Sequence, residues 1–166
     1  MPAAHNTASE LIHHLREAGH TMAVAESCTG GLLAGALTDV PGASEVFLGG
    51  IVSYTNEAKS DILEIPECLI EQHSAVSGEV AAAMATAAAE KFGAEYGLAT
   101  TGYAGPTGGT ESDPVGTVYL GFHAPTGLWA CRIHFDGDRR EVREAAVRHA
   151  LEWMMRKLNK YPAGKA

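Results

Sequence analysis

Four short segments carry the side chains in this sequence that could do chemistry. The first, Ala25-Glu26-Ser27-Cys28-Thr29-Gly30-Gly31, places a serine where the apolar run 21–26 gives way to an apolar helix from about Leu32 to Leu37. A hydroxyl at such a junction is exposed, and the N–H groups of Cys28 to Gly31 leave the helix start ready to hold an oxyanion. A serine here is equally an N-cap, so the segment alone reads as nucleophile or cap alike. Cys28 reads as a small buried hydrophobe, since no histidine stands at a telling spacing.

The second segment, Tyr54-Thr55-Asn56-Glu57-Ala58-Lys59, follows the next strand. A lysine taken out of water near an arginine gives up its proton more readily and can activate a serine. Taken alone Lys59 is an ordinary surface lysine; its interest comes from falling at the same sheet end as Ser27. In the third segment, Thr101-Gly102-Tyr103-Ala104-Gly105-Pro106-Thr107-Gly108-Gly109, the glycines let successive N–H groups approach an anion. It matches neither the P-loop nor the dinucleotide fingerprint, and a plain turn explains it as well. The fourth is Asp138-Arg139-Arg140-Glu141-Val142-Arg143, where Arg139 and Arg143 share one side of a helix start. Cations there oppose the helix dipole, so a bound phosphate or carboxylate accounts for them better than stability does.

Composition narrows the setting for these groups. With 166 residues, 46% hydrophobic and 19% charged, the chain has the length and apolar content for one packed domain over 1–166. His5, Glu10, Arg16 and Glu17 interrupt the stretch that a signal peptide would need, and no run approaches membrane-spanning length, so a cytoplasmic protein is expected. Cys28, Cys68 and Cys131 form no CxxC pair and are expected as free thiols. The eight histidines show no metal-binding spacing, so no metal is expected. A net charge of -8 argues against nucleic acid as a partner and requires any small anionic substrate to be held by local donors.

The elements that must position the four segments follow from periodicity. Thr7 to Glu10 fits a capping box opening a first helix that Gly19 closes. Strands are expected at 21–26, 46–54 and 96–101, with the Gly49-Gly50 pair marking a bulge or close approach. Short helices should follow Asn56 and Pro66, Ser77 should cap an Ala-rich helix, and 115–123 with 128–135 should form a hairpin. The last helix begins at Asp138 and buries Val142, Ala146, Ala150, Trp153 and Met154. Together these predict an α/β fold, a three-layer α/β/α sandwich around a mixed sheet of about five strands.

The segments AESCTGG, YTNEAK, TGYAGPTGG and GDRREVR, in this order and spacing, resemble the C-terminal domain of the competence/damage-inducible protein CinA family from about Glu10 to Leu158. The resemblance implies nicotinamide mononucleotide deamidase activity, yielding nicotinate mononucleotide and ammonia in a salvage step of NAD metabolism. It implies no cofactor, the same sandwich fold and a homodimer. By position it puts the nucleophile on Ser27, the general base on Lys59, and Thr101 and Arg139 among the catalytic positions. The Thr101 hydroxyl is expected to orient the serine or lysine or to meet substrate. Substrate contacts are expected from Thr29, Gly30, Gly31, Tyr54, Asn56, Gly102, Tyr103, Gly105, Gly108, Gly109 and Arg143. Tyr103 stands where the family carries a small aliphatic residue, which predicts a narrower pocket or a ring for the pyridine to stack on. The resemblance does not extend to the family's N-terminal nucleotide-processing domain, which this chain is expected to lack. The competing reading is a non-catalytic module that recognises a nucleotide phosphate with the same loop and arginines.

Overall fold

Three strands of one sheet run in the same direction and stop at the same edge, and that edge organises the rest of the molecule. The computed structural model describes residues 2–162. In chain order the elements are α1 (Pro2–Ala18), β1 (Met22–Glu26), α2 (Leu32–Thr38), β2 (Phe47–Val52), α3 (Asn56–Asp61), α4 (Glu67–His73), α5 (Gly78–Phe92), β3 (Tyr96–Gly102), β4 (Thr117–Ala124), β5 (Gly127–His134) and α6 (Arg139–Lys160). The sheet order is β2-β1-β3-β4-β5, with β1 parallel to β2 and β3, and β4 antiparallel to β3 and β5. α1, α2 and α6 pack together on one face and α5 covers the other. This is the mixed five-stranded α/β/α sandwich that the sequence predicts.

Alternation along β1 fills the two layers. Met22 and Val24 join Leu11, Leu33, Leu98, Leu120 and Phe122 in the larger core, and Ala23 and Ala25 meet Val80, Met84 and Ala88 of α5 in the smaller. The α5 side is lined by small residues, which brings the helix down onto the sheet. A Cβ on Gly97 or Gly121 would run into the Ala85 or Ala81 carbonyl. Each fully buried Leu or Phe side chain contributes about 1.5–3 kcal/mol, so the larger core supplies most of the hydrophobic stabilisation.

Local signals set the boundaries. Ser77 Oγ accepts from the Val80 N–H at 3.2 Å, and Asp138 and Glu141 complete a capping box at the head of α6. α1 begins at Pro2 rather than Thr7, because Ala4 extends the buried stripe of Ala8, Leu11 and Leu15 by one turn. β2 ends at Val52 rather than Tyr54, since the Thr55 side chain caps α3 by accepting from Ala58 N at 3.1 Å. The hairpin is shifted by one or two residues and turns on Pro125-Thr126 between paired Ala124 and Gly127. At Gly49 the register with β1 shifts, and a Cβ there would overlap the Phe92 ring, so the glycine pair marks both a bulge and a close approach.

The parallel ladder continues one rung past the strands. Glu26 lies level with Val52 and Thr100. The Ser27 N–H donates to the Thr100 carbonyl at 2.9 Å, and the Ser53 N–H donates to the Glu26 carbonyl at 2.8 Å. Ser27 and Ser53, one residue past β1 and β2, therefore stand level with Thr101 of β3, at the carboxyl ends of parallel strands where α/β folds place ligands.

Candidate active site

The chain after Glu26 turns through Ser27 to Gly31 before α2, and left-handed backbone at Gly30 (φ 56°) and Gly31 (φ 96°) makes the reversal possible. Gly31 is the N-cap of α2 and has no side chain to cap it. The buried Glu26 carboxylate does so instead, accepting from the N–H groups of Gly31 (3.0 Å), Leu33 (3.0 Å) and Ala34 (2.8 Å) and from the Thr29 hydroxyl (2.5 Å). The Gly30 N–H donates to the Ser27 carbonyl at 3.1 Å. This corrects the expected oxyanion site: the amides of Gly30 and Gly31 are already engaged, and of the stretch Cys28 to Gly31 only those of Cys28 and Thr29 are not.

Ser27 Oγ, freed from capping, meets the Lys59 ammonium group. Lys59 Nζ lies 3.0 Å from Ser27 Oγ and donates to the Ser53 carbonyl at 2.9 Å. Lys59 is 2% exposed and Ser27 8%. Although α3 is only six residues long, the segment after it is anchored by buried Leu63 and Ile65, and its Ile65 N–H donates back to the Lys59 carbonyl at 3.1 Å. Burial holds the Lys59 amine below its ordinary lysine value of 10.5. Desolvation, one half of the expected cause, lowers it; the other half, a neighbouring arginine, makes no contribution. Burial also pushes the neighbouring Cys28 thiol up to about 12, so Cys28 is a protonated hydrophobe beside the serine.

The pair opens on a cleft of about 220 Å³ lined by Ser27, Cys28, Tyr54, Asn56, Lys59, Ala75, Val76, Thr101, Gly102, Ala104 and Arg139. Thr101 stands beside the pair, but its hydroxyl donates to the Ala75 carbonyl at 2.8 Å instead of to the serine or lysine. Arg139 crosses the mouth: Nη1 donates to the Gly105 carbonyl at 2.7 Å and Nη2 to the Tyr54 hydroxyl at 2.8 Å. A second groove, running past Gly105, Pro106 and Gly137, shares Ala104 and Arg139 with the cleft.

Several residues expected at the substrate lie elsewhere. The Thr29 side chain is buried under the turn between Glu26 and Thr100. Arg143 reaches no open site; its Nε and Nη2 donate to the Cys28 and Thr29 carbonyls at 3.0 and 2.8 Å. Protein carbonyls, and in the case of Arg139 also a tyrosine hydroxyl, thus account for Arg139 and Arg143, while Arg140 pairs with Glu144 at 2.7 Å. Tyr103 does not line the cleft: its backbone pairs with Gly116 and Thr117, and its ring lies beside Gly108. Gly108 and Gly109, with φ of 92° and 82°, fold the loop back on Val115 and lie outside the cleft lining. Sequence reasoning missed Glu26, whose only signal is an acid closing an apolar strand, and the Ala75-Val76 wall, which carries none. Among the described residues no group of His, Cys, Asp and Glu is placed to hold a metal ion, and no helix is long and apolar enough to cross a membrane.

An α/β/α sandwich with a buried serine–lysine pair at the carboxyl end of its parallel strands defines the class of this protein. Residues 4–158 match the model of the CinA C-terminal domain, and the chain belongs to that family. It is 49% identical over 154 residues to a CinA-like protein of Desulfotalea psychrophila, covering 92% of this chain and 37% of that protein. With a CinA-like protein of Myxococcus xanthus it shares 50% over 157 residues, 94% of this chain and 37% of the relative. The chain thus spans little more than a third of the length of these relatives. Among solved structures, a competence-damaged protein (CinA) superfamily protein from Escherichia coli superposes with a TM-score of 0.89 at 39% identity, covering 92% of this chain and 88% of that one. The competence/damage inducible protein CihA from Agrobacterium tumefaciens gives a TM-score of 0.89 at 39% identity, covering 93% and 94%.

Proposed function

We propose that the protein hydrolyses the carboxamide of nicotinamide mononucleotide to nicotinate mononucleotide and ammonia, with Ser27 as nucleophile and Lys59 as general base. The observation that carries this reading is the buried 3.0 Å contact between Ser27 Oγ and Lys59 Nζ. A lysine whose proton affinity is lowered by burial has a larger neutral fraction, and a neutral amine at hydrogen-bond distance can take the serine proton. Ser27 Oγ then attacks the carboxamide carbon, the N–H groups of Cys28 and Thr29 supply donors for the oxyanion, and Lys59 passes the proton to the departing nitrogen. Ammonia leaves an acyl ester on Ser27. Water, deprotonated by the same amine, cleaves that ester to the acid and restores the hydroxyl.

The cleft suits one end of such a substrate. Ala75, Val76 and Ala104 offer apolar walls to a flat ring, with Asn56 and Thr101 as polar lining. The ribose phosphate would reach the rim, where Arg139 is the cation at the mouth and could exchange its bond to Tyr54 for one to phosphate. The test is to incubate the protein with the mononucleotide and assay ammonia. Release by the wild type and none by Ser27→Ala supports the reading. Thermal stabilisation by the mononucleotide without ammonia marks a binding module and overturns it.

A further inference from the structure

The turn that carries Ser27 is held from two sides by opposite charges that take no part in the proposed chemistry. Beneath it lies Glu26, fully buried, with one carboxylate oxygen accepting from Thr29 Oγ1 and the Gly31 and Leu33 N–H groups and the other from the Ala34 N–H. Across from it Arg143 of α6 donates to the carbonyls of Cys28 and Thr29. The guanidinium lies so close over Gly30 that a Cβ there would stand 3.2 Å from Nη2. The anion gathers the N–H groups of the turn and the cation gathers its carbonyls, and each is anchored in an element of the core.

We propose that Glu26 and Arg143 are positioning residues that hold Ser27 Oγ toward Lys59; the proposal rests on Ser27 being the nucleophile. Glu26 caps α2 from the strand below, and Thr29 Oγ1 bonds the same carboxylate oxygen as the Gly31 and Leu33 N–H groups, so the acid fixes the path of the turn that begins at Ser27. With the turn held in that way, Ser27 Oγ stands 3.0 Å from Lys59 Nζ. Arg143 acts on the other half of the same peptides. A charge-assisted bond to the Cys28 carbonyl polarises the peptide whose N–H belongs to Thr29, and fixes the plane in which that N–H points. Without Glu26 the amides of Gly31, Leu33 and Ala34 and the Thr29 hydroxyl lose their common partner and the turn loses its path; without Arg143 it loses its orientation toward the cleft.

The test uses the full chain carrying Glu26→Gln, Arg143→Ala or Arg143→Lys. The labelling rate of Ser27 by a fluorophosphonate, located by mass spectrometry, is measured with kcat and KM for the mononucleotide and with thermal unfolding. Labelling and kcat should fall together by about tenfold or more, while KM stays within about threefold and the Lys59-governed limb of the pH profile does not move. Low concentrations of guanidinium chloride should partly restore Arg143→Ala, whereas Arg143→Lys should stay low, because one ammonium does not reproduce a planar fork on two carbonyls. Unchanged labelling with a raised KM would make Arg143 a substrate ligand and overturn the proposal. Normal labelling and kcat per folded molecule with only a lower melting temperature would reduce both residues to stabilisers and also overturn it. Should Glu26→Gln fail to fold, the two Arg143 variants decide. A wild type that labels at Ser27 but releases no ammonia refutes the mononucleotide as substrate and leaves this proposal to the labelling rates. A wild type that does neither refutes both.

Discussion

The two halves of the sheet are filled with opposite kinds of side chain. Where β1, β2 and β3 run parallel, their carboxyl ends collect Glu26, Ser27, Thr29, Ser53, Lys59, Thr100 and Thr101, all buried. A ladder of rings starts at Tyr96, at the amino end of β3, and runs out through the antiparallel half. Tyr96 stacks on Phe122 at 5.9 Å, Phe122 on Trp129 at 5.6 Å and Trp129 on Tyr161 at 5.1 Å, with the Lys157 ammonium 5.0 Å from the Trp129 centroid. Ring stacks are favourable and, beyond a partner such as His20 Nδ1 for the Tyr96 hydroxyl, ask for few polar contacts. Buried amines and carboxylates cost several kcal/mol unless each is bonded, which makes the first region dependent on every contact in its network. The contrast separates stability from reactivity along one sheet, and substitutions in each half should move one property and spare the other.

The strongest break should come from Ser27→Ala. Loss of the hydroxyl removes the nucleophile without opening a cavity, so ammonia release should fall by about 10³-fold or more at nearly unchanged melting temperature. Turnover within tenfold of wild type would dismiss Ser27. Next, Lys59→Arg should fail as completely as Lys59→Ala, by about 10²-fold or more, because a guanidinium keeps the charge but does not surrender its proton near neutrality. Activity in the Arg variant, read by the same assay, would leave Lys59 only an electrostatic role. The opposite half answers with stability: Phe122→Ala should cost about 3–5 kcal/mol in denaturant unfolding while turnover per folded molecule holds.

Smaller effects sharpen the same division. Wild-type activity should rise with pH to a midpoint below the ordinary lysine value of 10.5. Stability carries the matching sign. The folded state holds the Lys59 proton less tightly than the unfolded chain does, so between the lowered folded value and 10.5 the unfolded chain binds more protons and stability climbs with pH. Lys59→Met should flatten that climb in denaturant titrations at successive alkaline pH values. Least of all, Cys28→Ala should change turnover by no more than about threefold, since a thiol protonated up to about 12 is a packing group; a folded but inactive variant would point to the sulfur.

Much of this architecture is legible in the sequence because it rests on local rules. The Asp138–Glu141 box, the Ser77 cap, the Gly49-Gly50 close approach and the periodicity of each strand are contained within a few residues. The contacts of the candidate site are legible only in part. That Ser27 and Lys59 fall at one sheet end follows from strand order, but their distance does not. Arg139 and Arg143 can be placed on one side of a helix from spacing alone, whereas the carbonyls opposite them belong to residues 34 and 115 positions away. Glu26 escapes notice for the same reason: its partners come from a turn whose path is set by tertiary packing. The helix start at Pro2 was hidden because Thr7 to Glu10 matches a cap motif in the middle of a longer apolar stripe.

The rungs that tie Ser27 to Thr100 and Ser53 to Glu26 also bear on how this sequence can change in length. Segments far apart in the chain are indexed to one another by hydrogen bonds one residue beyond the strands. A residue inserted between Met22 and Ser27 would exchange the faces of every side chain that follows it in the strand, sending Ala and Val to the wrong layers and turning residue 27 away from the lysine. An insertion at the exposed Pro125-Thr126 turn would lengthen a loop at the far end of the hairpin and leave the indexing intact. Natural drift in length should therefore accumulate at that turn and be barred from the few residues of β1.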